Sequence, residues 1–278
     1  MDAAALEDLQ FRLTEDAFEI GSGTDAQVLS RDAKSRGWLR RLAPATWRTG
    51  VISESVEAAE KASWLSLVTA VIRSLDVTWL TNLDAIAAAE NKMYVHAVAA
   101  TIGVTTPRSV ITSSPASIRN RLRDPLVIKP LVSGHFQQDG DGWNVFAHKT
   151  MSADLNDGLA QAPFLVQEQI QAVRHLRVVT VNDHIWTTAI TAARFPVDWR
   201  SQAEAHESFT ATQEPDALVD AAMSVAQSLN LGYSSQDWID TGESFVLLDV
   251  NPGGQWLFLP SEVTTSVSQK IGRWLDGA

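Results

Sequence analysis

Asp237, Asp249 and Asn251 are the residues whose types and spacing bear most directly on chemistry. They lie in Asp237-Trp-Ile-Asp-Thr-Gly-Glu-Ser-Phe-Val-Leu-Leu-Asp249-Val-Asn251-Pro252, two strand-like runs joined by a turn at Gly242-Glu243-Ser244. Folded there, opposed residues have numbers that sum to 486, so Asp237 faces Asp249. Asn251 lies two positions beyond Asp249 and on the same sheet face, because side chains alternate along a strand. Two carboxylates and an amide oxygen on one face are the hard donors that Mg²⁺ takes, with phosphate oxygens and water completing its octahedron. The plainer alternative is a polar sheet face with incidental acids, and a one-residue slip in register would break the trio.

Several cations could serve the same chemistry. Lys129 ends the apolar run Leu126-Val-Ile-Lys129, ahead of Pro130, and Lys92 follows Asn91 in a helical stretch. Either can neutralise a phosphate in a cleft or stand solvated at a surface. Arg174, Arg177, Arg194 and Arg200 fall in a part of the chain that is otherwise not basic. Guanidinium groups clamp phosphates and carboxylates well, although pairing with nearby acids is the simpler role for Arg174. His175 stands beside them, and no Ser–His–Asp or His-Glu-x-x-His pattern accompanies it. The run Phe164-Leu-Val-Gln167-Glu168-Gln169-Ile170 ends a strand in polar residues whose backbone can read a base edge, or which simply form a sheet edge.

These residues need elements to carry them. Ser53–Leu75 repeats apolar residues at helical spacing, and a second helix over 84–101 follows a Thr81/Asp84 capping pair and stops at Gly103. A short strand over 108–112, a helix near 115–122 begun by Ser114-Pro115, and strands at 126–129 and 164–170 come next. Residues 133–143 and 191–213 read as loops that could close over a site. Strands 176–181 and 185–190 flank a turn at Asn182-Asp183-His184, a helix spans 216–230, and an amphipathic helix spans 262–275. The front is helix-rich and the remainder is rich in antiparallel strands with helices, an α+β chain rather than a regular βα alternation.

Composition agrees and excludes other classes. At 278 residues and 45% hydrophobic, the chain has enough apolar mass for a core without staples, and it has no cysteine. A net charge of −11 argues against a general nucleic-acid binder. The start, Met1-Asp-Ala-Ala-Ala-Leu-Glu-Asp8, lacks the basic and apolar regions of a secretory signal, and no run is long enough for a membrane span. A cytoplasmic protein is expected, and a homodimer stays open.

In order along the chain, Asn91-Lys92, Ile102-Gly-Val-Thr-Thr-Pro107, Val127-Ile-Lys129-Pro130, Gln167-Glu-Gln-Ile170, Leu176-Arg177-Val-Val179 and Asp237…Asp249-Val-Asn251-Pro resemble the ATP-grasp superfamily. Within it, the chain is most similar to RimK-like enzymes of the microviridin (graspetide) maturase type. Trp79-Leu-Thr-Asn82, Ala88-Ala-Glu-Asn-Lys92, Val197-Asp-Trp-Arg200, Asn251-Pro-Gly-Gly-Gln-Trp256 and Trp38-Leu-Arg-Arg41 carry that similarity. The resemblance implies two α+β subdomains sandwiching ATP, a central one over 81–166 and a C-terminal one with the metal site over 167–278, preceded by a shortened N-terminal domain over 1–80. It implies that Lys92 and Lys129 contact phosphates and that Gln167, Glu168, Gln169 and Ile170 bind adenine, with His175 on the ribose side. Asp237, Asp249 and Asn251 would hold Mg²⁺, as two ions, and Arg177, Arg200 and Arg194 would serve catalysis. Three departures stand out: His175 replaces the usual Asp, Asp249 the usual Glu, and Leu257-Phe-Leu-Pro260 lacks a Glu common in relatives.

The activity so implied is ATP-dependent ligation on a ribosomal precursor peptide with a leader and an acidic, hydroxyl-rich core. Asp or Glu side chains would be activated as acyl phosphates and joined to Ser, Thr or Lys as esters or amides. Two alternatives are a RimK-like ligase joining a free amino acid or amine to a carboxylate, and a non-catalytic ATP- and peptide-binding partner.

Overall fold

The computed structural model describes residues 10–21, 27–30, 35–40, 55–74, 76–131, 135–138, 141–144, 146–155 and 163–277. The N-terminal octet, Arg41 and Ser53 lie outside them.

The chain opens with an antiparallel sheet of β1 (Phe11–Leu13), β2 (Ala17–Ile20) and β3 (Gln27–Ser30). Next come β4 (Ser35–Gly37), helix α1 (Val56–Ser74) and β5 (Val77–Trp79), with β4 and β5 paired in parallel. Val68, Val71 and Ile72 of α1 are buried, as the apolar spacing requires. The expected helix over 84–101 is two helices, α2 (Leu83–Ala89) and α3 (Lys92–Thr101). Asn82 and Asn91 cap them, their side chains accepting from the amides of Ala85 and Tyr94 at 2.7 and 3.0 Å. An Asn at the cap satisfies an amide that the helix cannot, so the apolar rhythm runs on through an interruption of the helix. Thr81 does not cap a helix. It is buried, and its hydroxyl accepts from the amides of Gly232 and Tyr233.

Four antiparallel strands form the second sheet: β6 (Ser109–Thr112), β7 (Leu126–Lys129), β10 (His148–Thr150) and β11 (Phe164–Glu168), in the order β10-β7-β11-β6. Helix α4 (Pro115–Arg119) follows β6. Leu126, Phe164 and Val166 pack with Ile118 of α4, while the alternate positions Lys129 and Gln167 share the other face. Between β7 and β10, where a loop is expected, β8 (His135–Gln138) and β9 (Asp141–Asn144) pair as a hairpin.

The third sheet has five antiparallel strands in the order β14-β13-β12-β15-β16. These are β12 (Arg174–Val181), β13 (His184–Thr191), β14 (Thr210–Thr212), β15 (Tyr233–Asp240) and β16 (Phe245–Asn251). Helix α5 (Ala203–Glu207) precedes β14, α6 (Asp216–Ser228) precedes β15, and α7 (Ser261–Leu275) ends the fold. The stretch expected to be a loop over 191–213 thus holds a helix, a strand and two 3₁₀ turns, Ala192–Arg194 and Trp199–Ser201.

Leu176, Val178, Trp238 and Leu247 bury one face of this sheet against α2, α3 and α6. On the other face Val179, Val181 and Tyr233 lie under Val263, Val267 and Ile271 of α7. The helix covers only the end of that face. His175, Arg177, Asp237 and Asp249 continue it beyond the helix, and His175, Asp237 and Asp249 front an open cleft.

Candidate active site

The β15–β16 hairpin carries the acids. Asp237 is paired with Asp249 and Ser235 with Asn251, the expected register. The turn, however, is one residue longer than expected: Asp240 pairs with Phe245 across Thr241–Ser244, so numbers there sum to 485. A β-bulge beside Trp238 takes up the difference, leaving Leu248 as the extra residue. It allows Leu247 to turn into the core while Asp249 turns into the cleft.

Each carboxylate has a cation. Lys92 Nζ lies 2.7 Å from Asp249 Oδ2, and Arg177 Nη1 lies 2.6 Å from Asp237 Oδ1. Lys92 is the first residue of α3, so its side chain starts from the capped, positive end of the helix. Burial pushes the Asp249 carboxyl up, but Lys92, Lys129 and Arg200 outweigh it and hold it below its ordinary value. Burial drives the Lys129 ammonium down to about 8, with Asp249 pulling the other way. Arg177 also donates to the Gln255 carbonyl at 3.2 Å, and it is buried.

Arg200 makes a two-pronged pair with Asp198, Nε to Oδ1 at 2.7 Å and Nη2 to Oδ2 at 2.9 Å. Asp198 is buried and also accepts from the Ala147 amide at 2.9 Å. Burial pushes this carboxyl up, and the Arg200 hydrogen bonds and charge bring it below the ordinary value. His175 lines the cleft and is held neutral-leaning by burial, its pKa lowered despite Asp237 and Asp198 nearby.

The cleft between the four- and five-stranded sheets encloses about 340 Å³. Lys129 and Gln167–Ile170 line one wall, and His175, Asp237 and Asp249 the other, with Arg200 at the side. The polar strand end is already partly engaged: the amides of Glu168 and Gln169 donate to the Arg108 and Pro125 carbonyls. The Glu168 side chain turns away to the Arg123 amide, and Gln167 donates to Ser109 Oγ. Ile170 follows them in the cleft wall and is half-buried.

Arg194 is not brought into this group. It is exposed, paired with Glu204 at 3.2 Å, and lies over the Phe195 ring. The short 3₁₀ turn at Ala192–Arg194 faces it outward, a direction that proximity in sequence to Arg177 and Arg200 does not reveal. Arg174 is locked to Glu214 and Asp240, the ion-pairing role open to it from sequence. Asp198 and Ala147 are site residues that residue-type reasoning missed; an acid two positions before Arg200 was the available signal for the first. His96 gave no signal. It is buried behind Lys92 and Lys129, and burial lowers its pKa.

The donor set suits magnesium. Among the described residues no group of three or more His, Cys, Asp or Glu side chains could hold a metal by itself. Two acids and Asn251, with cations around them, call instead for an ion that shares phosphate oxygens. The Asn251 side-chain oxygen accepts from the Gly253 amide at 3.0 Å, which holds it in place without using both its lone pairs.

Two antiparallel sheets facing one another across an acid- and cation-lined cleft agree with the family comparison: residues 89–275 match the model of the RimK-like ATP-grasp domain. The chain belongs to the RimK-like ATP-grasp family. Its fold is the ATP-grasp fold, and it is an ATP-grasp ligase by family. It is similar to the macrocyclase MdnC from Microcystis aeruginosa MRC, solved with the precursor peptide MdnA, at 20% identity and a TM-score of 0.83, covering 100% of this chain and 90% of that one. A RiPP-associated ATP-grasp ligase from Chryseobacterium gregarium, solved with ADP and a leader and core peptide, matches at 18% identity and a TM-score of 0.83, covering 100% and 88%. The ATP-grasp ligase PsnB, solved with a phosphomimetic minimal precursor, Mg and ADP, matches at 18% and 0.70, covering 98% and 88%. No curated protein matches the chain. Among the described residues no helix is long and apolar enough to cross a membrane.

Proposed function

We propose that the protein is an ATP-dependent carboxylate ligase acting on a ribosomal precursor peptide with a leader and an acidic, hydroxyl-rich core. The observation that carries the reading is the opposed pair Asp237 and Asp249 ringed by Lys92, Lys129, Arg177 and Arg200 in a cleft between two antiparallel sheets. Relatives of the same fold were solved with precursor peptides, ADP and Mg, which supports the choice of ligands.

In this reading Asp237, Asp249 and Asn251 would hold Mg²⁺, as two ions, which would supply charge neutralisation for the nucleotide's phosphates. Lys92 and Lys129 balance the remaining phosphate charge, and the Ile170 amide meets the adenine. An Asp or Glu carboxylate of the peptide takes the γ-phosphoryl group, with ADP as leaving group. A Ser or Thr hydroxyl or a Lys amine then attacks the acyl carbon, phosphate departs, and the attacking group loses its proton, giving an ester or an amide. Arg200 lines the cleft and Arg177 lies behind Asp237, and in this reading both stabilise charge that builds on the acyl-phosphate oxygens, such pre-placed donors each supplying roughly 3 kcal/mol of transition-state stabilisation. Division of the chain near residues 80 and 166 belongs to the same proposal.

Mass spectrometry of a co-expressed precursor tests it, the precursor being a short reading frame with a Ser/Thr- and Asp/Glu-rich tail beside the gene. Loss of one water per crosslink is expected. An unchanged mass combined with amine-dependent phosphate release would instead assign a free-amine ligase, and nucleotide binding without turnover a non-catalytic partner.

A further inference from the structure

The turn that follows the proposed metal site is gripped from the far end of the chain. In Asn251-Pro-Gly-Gly-Gln-Trp256 the Gly253 backbone lies against the Arg40 carbonyl so closely that a Cβ on Gly253 would come within 2.1 Å of that oxygen. The Arg40 side chain closes the other side: Nε donates to the Gly253 carbonyl at 3.3 Å and Nη2 to Gln255 Oε1 at 2.6 Å. Its guanidinium lies 5.5 Å from the Trp256 ring centroid. Trp38, two residues earlier, packs against Tyr233 and Trp256 and fixes the backbone from which Arg40 reaches out.

Both residues that Arg40 holds lead on to the acids' face of the sheet. Gly253 donates its amide to Asn251 Oδ1. Gln255, whose side chain accepts from Arg40, gives its carbonyl to Arg177, and Arg177 binds Asp237. Two short chains of hydrogen bonds therefore connect Arg40 to Asn251 and to Asp237. The Gly254 carbonyl is tied in turn to the buried Tyr233 hydroxyl at 2.7 Å, so the turn has little freedom except where Arg40 and Arg177 hold it.

We propose that Arg40 is a positioning residue for the metal site, setting the geometry of Asn251 and Asp237 through Gly253 and Gln255 without touching nucleotide, metal or peptide. The proposal rests on the metal assignment of the preceding section. Arg suits this position because a rigid fork reaches two acceptors at once; a lysine keeps the charge and loses the fork.

Calorimetric titration of ADP at a series of Mg²⁺ concentrations tests it, with wild-type protein, Arg40→Ala, Arg40→Lys, Gln255→Ala and the Arg40→Ala/Gln255→Ala double variant. Wild-type ADP affinity is expected to depend on Mg²⁺. Arg40→Ala and Gln255→Ala should each raise the Mg²⁺ needed for half-maximal binding about tenfold, with Mg²⁺-free ADP affinity unchanged within about twofold. Arg40→Lys should fall between wild type and Arg40→Ala, and the double variant should be no worse than Arg40→Ala, because Gln255→Ala removes one of the two linkages that Arg40→Ala already removes. Gln255 is exposed, so its variant keeps the test open if Arg40→Ala folds poorly. Wild-type Mg²⁺ dependence in Arg40→Ala and Gln255→Ala, or single effects that multiply in the double variant, would overturn the proposal. Loss of melting temperature alone, with Mg²⁺ dependence intact, would overturn it too. Wild-type ADP binding indifferent to Mg²⁺ would overturn the metal assignment and the proposal together.

Discussion

Asp249 and Lys92 are partners at 2.7 Å, and that contact decides what removing either one does. Asp249→Ala takes away one proposed metal donor and also leaves Lys92 without its carboxylate partner. Turnover should fall by at least about 10²–10³-fold, the cost of losing a pre-placed electrostatic contact, whereas Mg²⁺-free ADP affinity should hold or rise. Phosphate release and calorimetry read the two effects, and retained turnover would sink the metal assignment. Lys129 makes a second prediction at this scale. Burial brings its ammonium to about 8, so the free protein carries a charged Lys129 below that pH and a neutral one above it. Phosphate needs the charged form. ADP affinity should therefore be flat below pH 8 and weaken by up to about tenfold per pH unit above it, until the pKa of the bound state is reached. A flat profile to pH 9.5 in the wild type, or the same fall above pH 8 in Lys129→Met, would show that Lys129 does not meet phosphate. Residue types and spacing put Lys129 on one sheet and Arg177, Asp237 and Asp249 together on one face of another, because strand alternation and a hairpin decide which way they face. They failed for Arg194, since no periodicity governs a 3₁₀ turn.

At the scale of elements, the hairpin register was legible for a reason only half visible in the sequence. A shorter turn without a bulge and the observed longer turn with a bulge both place Asp237 opposite Asp249. The bulge is not written in residue types, because what it satisfies is tertiary: Leu247 must reach the core beside Trp238 while its amide donates to the Thr105 carbonyl at 2.9 Å. The split between α2 and α3 is similar. Apolar spacing continues across Glu90-Asn91, so periodicity reads one helix, and only the Asn91 cap marks the second start. The split is functional in this geometry, since it makes Lys92 the first residue of a helix instead of a mid-helix one. Asn91→Ala should cost about 1 kcal/mol of stability through the lost cap, and should weaken ADP binding as Lys92 loses its fixed origin. Thermal melting and calorimetry on the same preparation check both. Asn91→Ser, which can still cap, should recover most of each loss; stability lost without any change in ADP affinity would separate the cap from the site.

At the scale of the whole molecule, function depends on two sheets being held across a cleft, and Asp198 is where they are tied. It sits in the connection after β13 of the five-stranded sheet, accepts from Ala147 just before β10 of the four-stranded sheet, and holds Arg200 with its other contacts. The net charge of −11 gains a local meaning here: Asp198, Asp237 and Asp249 are each matched by a cation, so the surplus of acid lies elsewhere on the chain. A buried carboxylate with both oxygens engaged is costly to remove, because it leaves an unpaired guanidinium and an unbonded amide together. Asp198→Ala should therefore do more than destabilise. With the tie gone the cleft admits water, and an acyl phosphate exposed to water hydrolyses before a hydroxyl or amine can attack. Phosphate release should continue while peptide product falls, so the ratio of phosphate released to water lost from the peptide should rise several-fold above one. Colorimetric phosphate assay against peptide mass spectrometry measures that ratio. Equal losses of phosphate release and peptide product would assign Asp198 to stability alone, and Arg200→Lys, which leaves the Ala147 tie intact, should slow turnover while keeping the ratio near one.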